Sequence, residues 1–519
     1  VTNHESAAQA ALQAGRHQEA VRLMREAAAA HPACGATHCN LGTCLRAAGL
    51  HAEAVERYHQ AIRLGYEQAQ LYFNLGNVLA ELGQLPQAIA AFTRATELDP
   101  DMGDAWYNLG ELWLRPELRT ADSLDRAEIA FRRTLKLKPE FLHARNALGT
   151  VLTDLPGRAA EALVEFQAAL PLGTAHVHNN LGLPLLKLGR IPEAMAQFDR
   201  ALELLPELPD AHMNRAFARL LWGDWERGLP EYEARHACRA APGPQFDLPR
   251  WEGQPGVRLL VRHEQGLGDV IMASRFLREL GCEVTLETPA ELVGVMSRVV
   301  PRVVPYAPQY PQPAVDYQIR IMELLPVLGV RPWNVSRPDY LTPDPGRLDR
   351  WRQRIAGSSH ARVGLVWQGN PRHINDRHRS LPLAALGPLG DVPDTDLYSF
   401  QVGYGSEQLA DCSFPIRQLG LSDWEDTAAA LCLMDAVVTV DTAVAHLAGA
   451  LGLRVLLLLP YCPDWRWLLH PAHHPTAAYK PPDPHHTPWY GRMILLRQGV
   501  EGDWSGPVQQ AAHRLRVVV

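Results

Sequence analysis

The chain has 519 residues, 47% hydrophobic and 21% charged, with a formal net charge of −7. That length suits two to four domains with sizeable cores, and the acidic balance speaks against a broadly basic surface for nucleic acid, leaving Arg372, Arg377 and Arg379 as a local basic patch. No apolar run approaches the roughly 18–20 residues of a membrane span, and the start, Val1-Thr2-Asn3-His4-Glu5, does not read as a signal peptide, so the expectation is a cytoplasmic protein.

The first half repeats itself. Asn40-Leu41-Gly42 recurs as Asn74-Leu75-Gly76 and Asn108-Leu109-Gly110, at steps of 34 residues. In phase with it run Gly15, Gly49 and Gly83, each followed five residues later by Ala20, Ala54 or Ala88. After an insertion around 115–124 the pattern resumes at Leu148-Gly149, Asn180-Leu181-Gly182 and Arg215-Ala216. Pro32, Pro100, Pro139 and Pro206 mark helix ends, since proline lacks an N–H and fixes φ. Each unit reads as helix, tight turn, helix, with small residues where paired helices meet. These spacings resemble tetratricopeptide (TPR) repeats, about seven of them, and imply a superhelix over residues 1–240. Cys39 and Cys44 fall within this pattern, and the eight cysteines are expected to be reduced thiols, because Cys34, Cys39 and Cys44 lack zinc-ligand spacing.

The array has two readings. One is a spacer or a module for self-association. The other rests on Asn40, Asn74, Asn108 and Asn180, which share one position on successive first helices. A carboxamide both donates and accepts, so a row of them can hold an extended peptide without reading its sequence. The row resembles that of O-GlcNAc transferases and implies a protein partner in the groove, although Ala147 and Arg215 interrupt it.

A Pro/Gly-rich linker is expected over 241–255, after which short apolar strands alternate with helices. Strands are expected at Arg258–Arg262, Val284–Glu287 and Val299–Pro305, within an N-terminal Rossmann-like domain over 256–350. The Pro-rich stretch 302–345 has no firm period. A second Rossmann-like domain over 351–519 is expected to hold strands at Val363–Trp367, Leu397–Gln401, Ile416–Gln418, Ala436–Val440, Val455–Leu459 and Met493–Arg497, and a closing helix at Val508–Val519. The fold class is therefore α plus α/β, with two doubly wound sheets in a GT-B arrangement. Ligands of such sheets bind beyond the carboxyl ends of strands, where Gln368-Gly369-Asn370, Gln401, Asp441-Thr442 and Tyr461 fall.

Two turns carry candidate chemistry. Glu264-Gln265-Gly266-Leu267-Gly268-Asp269 joins a strand to a helix, and Asp269 is either a base or a helix-start carboxylate favoured by the dipole. At Val440-Asp441-Thr442-Ala443, Asp441 or Thr442 caps a helix whose first N–H groups suit a diphosphate, and His446 one turn on either faces that pocket or packs structurally. Asp394-Thr395-Asp396 reads as turn chemistry rather than a metal motif. His470, His473, His474, His485 and His486 cluster without the spacing of a defined metal site.

GLGDV at 266–270, VGLVWQGNP at 363–371, NDRHRSLPL at 375–383 and TVDTAVAHLAGALG at 439–452 together resemble glycosyltransferase family nine, the heptosyltransferase-like family, and especially its TPR-fused bacterial members. LLLLPYCPDWRWL at 456–468 and PWY at 488–490 resemble the TPR-fused group. The resemblance implies a catalytic base at Asp269 and a donor site drawn from Gly268, Trp367, Gln368, Asn370, Arg377, Arg379, Gln401, Asp441, Thr442, Ala443 and His446. It implies metal-independent, inverting transfer from a nucleotide sugar to a protein hydroxyl, flagellin or another surface protein being the analogy, with no cofactor and no metal. The N-terminal Rossmann-like half is shorter than in free-standing heptosyltransferases, so its acceptor site must be built differently. A non-catalytic TPR scaffold and a transferase acting on lipopolysaccharide or another glycan are the alternatives.

Overall fold

A computed structural model describes residues 3–118, 120–238, 248–306, 313–335, 339–357, 359–373, 375–469, 483 and 485–518. The first part of the expected linker therefore lies outside the described residues, as do His470, His473 and His474. No helix among the described residues is long and apolar enough to cross a membrane. The chain forms two compact units, residues 1–152 with 164–172, and residues 153–163 with 173–519.

The first unit is built of antiparallel helix pairs: Asn3–Gln13 with His17–Ala30, Gly35–Ala47 with His51–Arg63, Ala69–Glu81 with Leu85–Leu98, and Gly103–Trp113 with Ala121–Leu137. The repeating glycine has a packing cause. A Cβ on Gly76 would lie 2.8 Å from the Phe92 ring of the partner helix, so only a bare backbone lets the ring lie flat against it. Ala20, Ala54 and Ala88 are fully buried at the matching crossing on the second helices. The insertion forms a turn at Pro116–Leu118 and a longer second helix, started by a Thr120–Ser123 capping box.

The second unit continues the pattern with Ala175–Lys187 and Ile191–Leu204, then Pro209–Leu221 and Trp225–Glu231. Gly182 meets Phe198 as Gly76 meets Phe92, its Cβ position 2.3 Å from the ring. The last of these helices ends against the sheets of the same unit. Trp225 is fully buried, stacked on Trp489 at 5.3 Å and edge-on to Trp465 at 5.5 Å.

Two parallel sheets follow. The first is β1 (Arg258–Arg262), β2 (Glu283–Thr288), β3 (Arg302–Pro305) and β4 (Tyr317–Arg320), in the order β3-β2-β1-β4. The second is β5 (Ala361–Val366), β6 (Thr395–Ser399), β7 (Arg417–Gln418), β8 (Ala436–Val440), β9 (Val455–Leu459) and β10 (Met493–Arg497), in the order β10-β9-β8-β5-β6-β7. Every pairing between these strands is parallel. β8 and β9 are buried along their whole length, as central parallel strands covered on both faces must be.

Two expectations need correction. β3 begins at Arg302, because residues 299–301 finish the preceding turn, and β4 arises inside the stretch that shows no period. β4 is only four residues long, too short to show alternation, and its register is set by pairing of Leu259–Arg262 with Tyr317–Arg320. Asp394 sits in a left-handed turn (φ 51°), while Asp396 in β6 pairs with Arg417 at 3.1 Å.

Candidate functional site

In both sheets the chain order reverses beside the first strand, between β1 and β4 and between β8 and β5, the places where the crevices of such sheets take ligands beyond the carboxyl ends. The turn after β1 and the turn after β8 lie at those two points. Each leads into a helix, Leu267–Ala273 and Ala443–Ala450, and these helices pack against each other. Gly268 makes the contact. A Cβ there would lie 2.7 Å from His446 Cδ2 and 3.5 Å from Ala443 Cα.

Asp269 stands at the third position of its helix, where its Oδ2 accepts from the Gly266 amide at 3.0 Å. Its Oδ1 accepts from the Arg466 guanidinium. Burial pushes the Asp269 carboxyl above its ordinary value, while the adjacent Arg466 pulls the other way. Gln265, just before this turn, is held at φ 61°, a left-handed conformation unusual for its side chain. Its amide donates to Tyr232 Oη at 3.2 Å and its carbonyl accepts from Arg466 at 3.2 Å. Tyr232 follows directly on helix Trp225–Glu231 and opens the short helical turn Tyr232–His236, so the repeat end, the Asp269 turn and Arg466 share one polar network.

Across the crevice, Thr442 takes the N-cap position of helix Ala443–Ala450 in extended conformation (φ −140°) without making a capping hydrogen bond. The Ala445 amide donates to Thr442 O at 3.0 Å, which leaves the amides of Ala443 and Val444 as donors toward a ligand, and the dipole adds positive potential. Asp441, preceding it, is pushed up to about 6 by burial and by Asp464, against the pull of Arg379. His446 is buried, Nδ1 2.9 Å from Tyr490 Oη, its ring stacked 5.1 Å from Trp467. Burial and the charges of Arg466, Arg275 and Arg379 hold its imidazole neutral. His446 is thus a packed member of the crevice wall rather than a proton carrier. Arg379 Nε contacts Asp376 Oδ1 at 3.4 Å, and a Cβ on Gly369 would strike both Asp376 and Arg379 Nη2, at 2.4 and 2.8 Å.

The structure gathers Gly268, Asp269, Asp441, Thr442, Ala443, His446 and, through its charge, Arg379. Other expected donor residues have different positions. Trp367 is fully buried and donates Nε1 to Gly405 O at 3.2 Å. The Gln401 amide is spent on backbone, accepting from Trp367 N and Gln368 N at 3.1 and 3.0 Å and donating to Gln368 O at 2.9 Å. These two shape the turns after β5 and β6. Gln368 accepts from Gln408 at 3.0 Å, Asn370 is exposed and binds Arg372 N at 3.0 Å, and Arg377 is partly exposed with no ion pair among the described residues. Sequence reasoning missed Arg466 and Asp464, which follow β9. The available signal was an arginine between two tryptophans, since an arginine placed among buried aromatics requires an anionic neighbour.

The asparagine row is partly self-satisfied. Asn74 Nδ2 donates to Thr43 at 3.3 Å and its Oδ1 accepts from Gln70 at 3.1 Å, while Asn108 Nδ2 donates to Asn77 at 2.8 Å. These bonds tie successive first helices together. Asn40 is exposed, and Asn180 accepts from Asn179 at 3.5 Å. A cavity of about 480 Å³ in the first unit is lined by Asn77, Glu81, Phe92, Asn108, Glu111 and Arg115. His485 and His486 are occupied, by Leu495 O at 3.2 Å and Asp483 at 2.6 Å.

A TPR repeat model matches residues 76–115, and a tetratricopeptide repeat model matches residues 6–65 and 179–243. The N-terminal part of the chain is therefore built of TPR repeats. Protein FlbA of Caulobacter vibrioides is 26% identical over 460 residues, which is 73% of this chain and 73% of that protein. Among solved structures, YrrB, described as a TPR protein with an unusual peptide-binding site, is 23% identical, covering 36% of this chain and 95% of its own, with a TM-score of 0.33. Pseudomonas aeruginosa PilF is 18% identical over 41% of this chain and 95% of its own, with a TM-score of 0.36.

Proposed function

We propose that this protein is a glycosyltransferase of GT-B architecture that moves a sugar from a nucleotide donor to a side-chain hydroxyl of a protein recruited by the repeats. The observation that carries the reading is the uncapped start of helix Ala443–Ala450, placed beside the Asp269 turn and within the field of Arg379. Bare amides and a guanidinium are what a pyrophosphate leaving group needs, because negative charge grows there as the anomeric C–O bond breaks. Asp269 takes the acceptor proton as the hydroxyl oxygen bonds to the anomeric carbon, and the nucleoside diphosphate departs from the opposite face, giving inversion. The TPR repeats supply protein binding, with the exposed Asn40 and the cavity at Asn77 and Asn108 as the contact points.

Incubating the protein with a panel of nucleotide sugars and a bacterial lysate should label a protein, and a folded Asp269→Asn variant should not. Labelling that persists at full rate in that variant removes Asp269 as the base. One observation favours the scaffold reading instead: both Asp269 oxygens are already engaged. On that reading the repeats bind a partner, and Asp269→Asn changes nothing.

A further inference from the structure

Arg466 belongs to the short turn Trp465–Trp467 after β9 and is buried. Its Nη1 donates to Asp464 at 2.6 Å, and its Nη2 to Asp269 and, at 3.2 Å, to Gln265. The guanidinium carbon lies 4.7 Å from the Trp465 ring centroid. Among the described residues its buried Nε has no acceptor. That leaves the guanidinium one donor to offer a ligand, a spare capacity it shares with the Nε of Arg46, Arg57, Arg362 and Arg497. The same cation acts on Asp441 and His446, the residues that flank the open helix start. Arg466 thus reaches electrostatically from the candidate base to the candidate diphosphate site.

We propose that Arg466 is a positioning residue that exchanges partners: it holds Asp269 in the free protein, turns to the diphosphate of the bound donor, and so releases Asp269 to accept the acceptor proton only when donor is present. The inference rests on the nucleotide-sugar reading above. Exchange is favourable because a diphosphate offers several anionic oxygens in the planar spacing a guanidinium prefers, including one for Nε. Its consequence is an order of events, donor before proton transfer. Besides Arg466, the groups facing Asp269 are the Gly266 amide on its own turn, Glu264 at the end of β1, which is neutralised by Arg235 at 2.8 Å, Tyr232 from the repeat end, and Asp464. With Arg466 turned away, the remaining carboxylates and burial all favour the protonated form of Asp269, so donor binding raises its affinity for a proton.

The test is calorimetric titration of the full chain with UDP, GDP, ADP, CDP and inorganic pyrophosphate, in buffers of different ionisation heat. Whichever probe binds should take up a fraction of a proton per site, as expected of a base shifted toward the working pH yet still mostly ionised, and Asp269→Asn should remove the part contributed by this carboxyl. Arg466→Met should weaken the probe roughly 10- to 100-fold, the span for a lost charged hydrogen-bonding group. Arg466→Lys, which keeps the charge without the fork, should fall between. Equal proton uptake by the parent protein and Asp269→Asn overturns the exchange, and that comparison stands even where Arg466→Met does not fold. Undiminished affinity in a folded Arg466→Met also overturns it. If no probe binds the parent protein, the donor reading itself fails.

Discussion

Replacing Gly268 with alanine tests whether the two candidate turns form one site. The new Cβ would begin 2.7 Å from His446 Cδ2. An ordinary carbon–carbon contact needs about 3.5–4.0 Å, so the pair must open by about 1 Å. His446 cannot swing aside, being held by Tyr490 Oη at 2.9 Å and by the Trp467 ring at 5.1 Å. Helices Leu267–Ala273 and Ala443–Ala450 must then separate, which costs about 1–3 kcal/mol by the measure of overpacked cores. The assay is chemical unfolding of the second unit, together with binding of a nucleoside diphosphate, which should weaken because the Asp269 turn moves off the open helix start. His446→Ala makes room, so the double variant should be less unstable than the sum of the two single ones. Gly268→Ala with parental stability and parental binding would refute the packing argument.

Further outcomes follow from other parts of the fold. Gly76→Ala forces a Cβ to 2.8 Å from Phe92 and should cost the first unit about 1–3 kcal/mol, whereas Gly83→Ala, at φ 72° with open space around it, should cost only about 1 kcal/mol of backbone strain; equal losses on thermal melting would contradict this. Trp225→Ala removes a fully buried ring stacked on Trp489 and should lower stability by about 3–5 kcal/mol while disturbing the Arg466 turn, seen as loss of nucleotide binding at temperatures where the variant is still folded. Asp441 is raised from 3.8 to about 6, so the folded state holds its proton more tightly than the unfolded chain does. Its contribution to stability is therefore full below about pH 4 and is lost as pH rises through about 6. Asp441→Asn should flatten that slope, stabilising at neutral pH and changing little near pH 4; a difference independent of pH would exclude the assignment.

Elements with a periodic cause were legible in the sequence. The Gly42, Gly76 and Gly110 ladder announces helix pairs because each glycine answers to a ring in its partner helix, Tyr58, Phe92 or Phe131. Strands β8 and β9 announce themselves as unbroken apolar runs because both faces are covered. β4 was hidden because four residues carry no period and its pairing with β1 is set by contacts 58 residues apart. The site was half legible. Turns after strands are local, so Asp269 and Thr442 could be named from their neighbours. Arg466 could not, since its meaning comes from Asp269, which lies 197 residues away. Trp367 and Gln401 occupy the right turns yet face inward, and orientation within a turn is fixed by tertiary packing that no motif encodes.

The balance of charge bears on whether the crevice is a relic or a working site. Arg379 and Arg466 face Asp269, Asp376, Asp441 and Asp464, so carboxylates outnumber guanidiniums before any ligand arrives. A diphosphate entering such a place adds further negative charge and is repelled unless a carboxylate protonates or gives up its partner. Asp441, raised to about 6, can do the first, and Asp269, bound to an arginine with one donor unmet, can do the second. On the donor-site reading, a diphosphate stabilises the second unit of the parent protein more than it stabilises that of Arg466→Met.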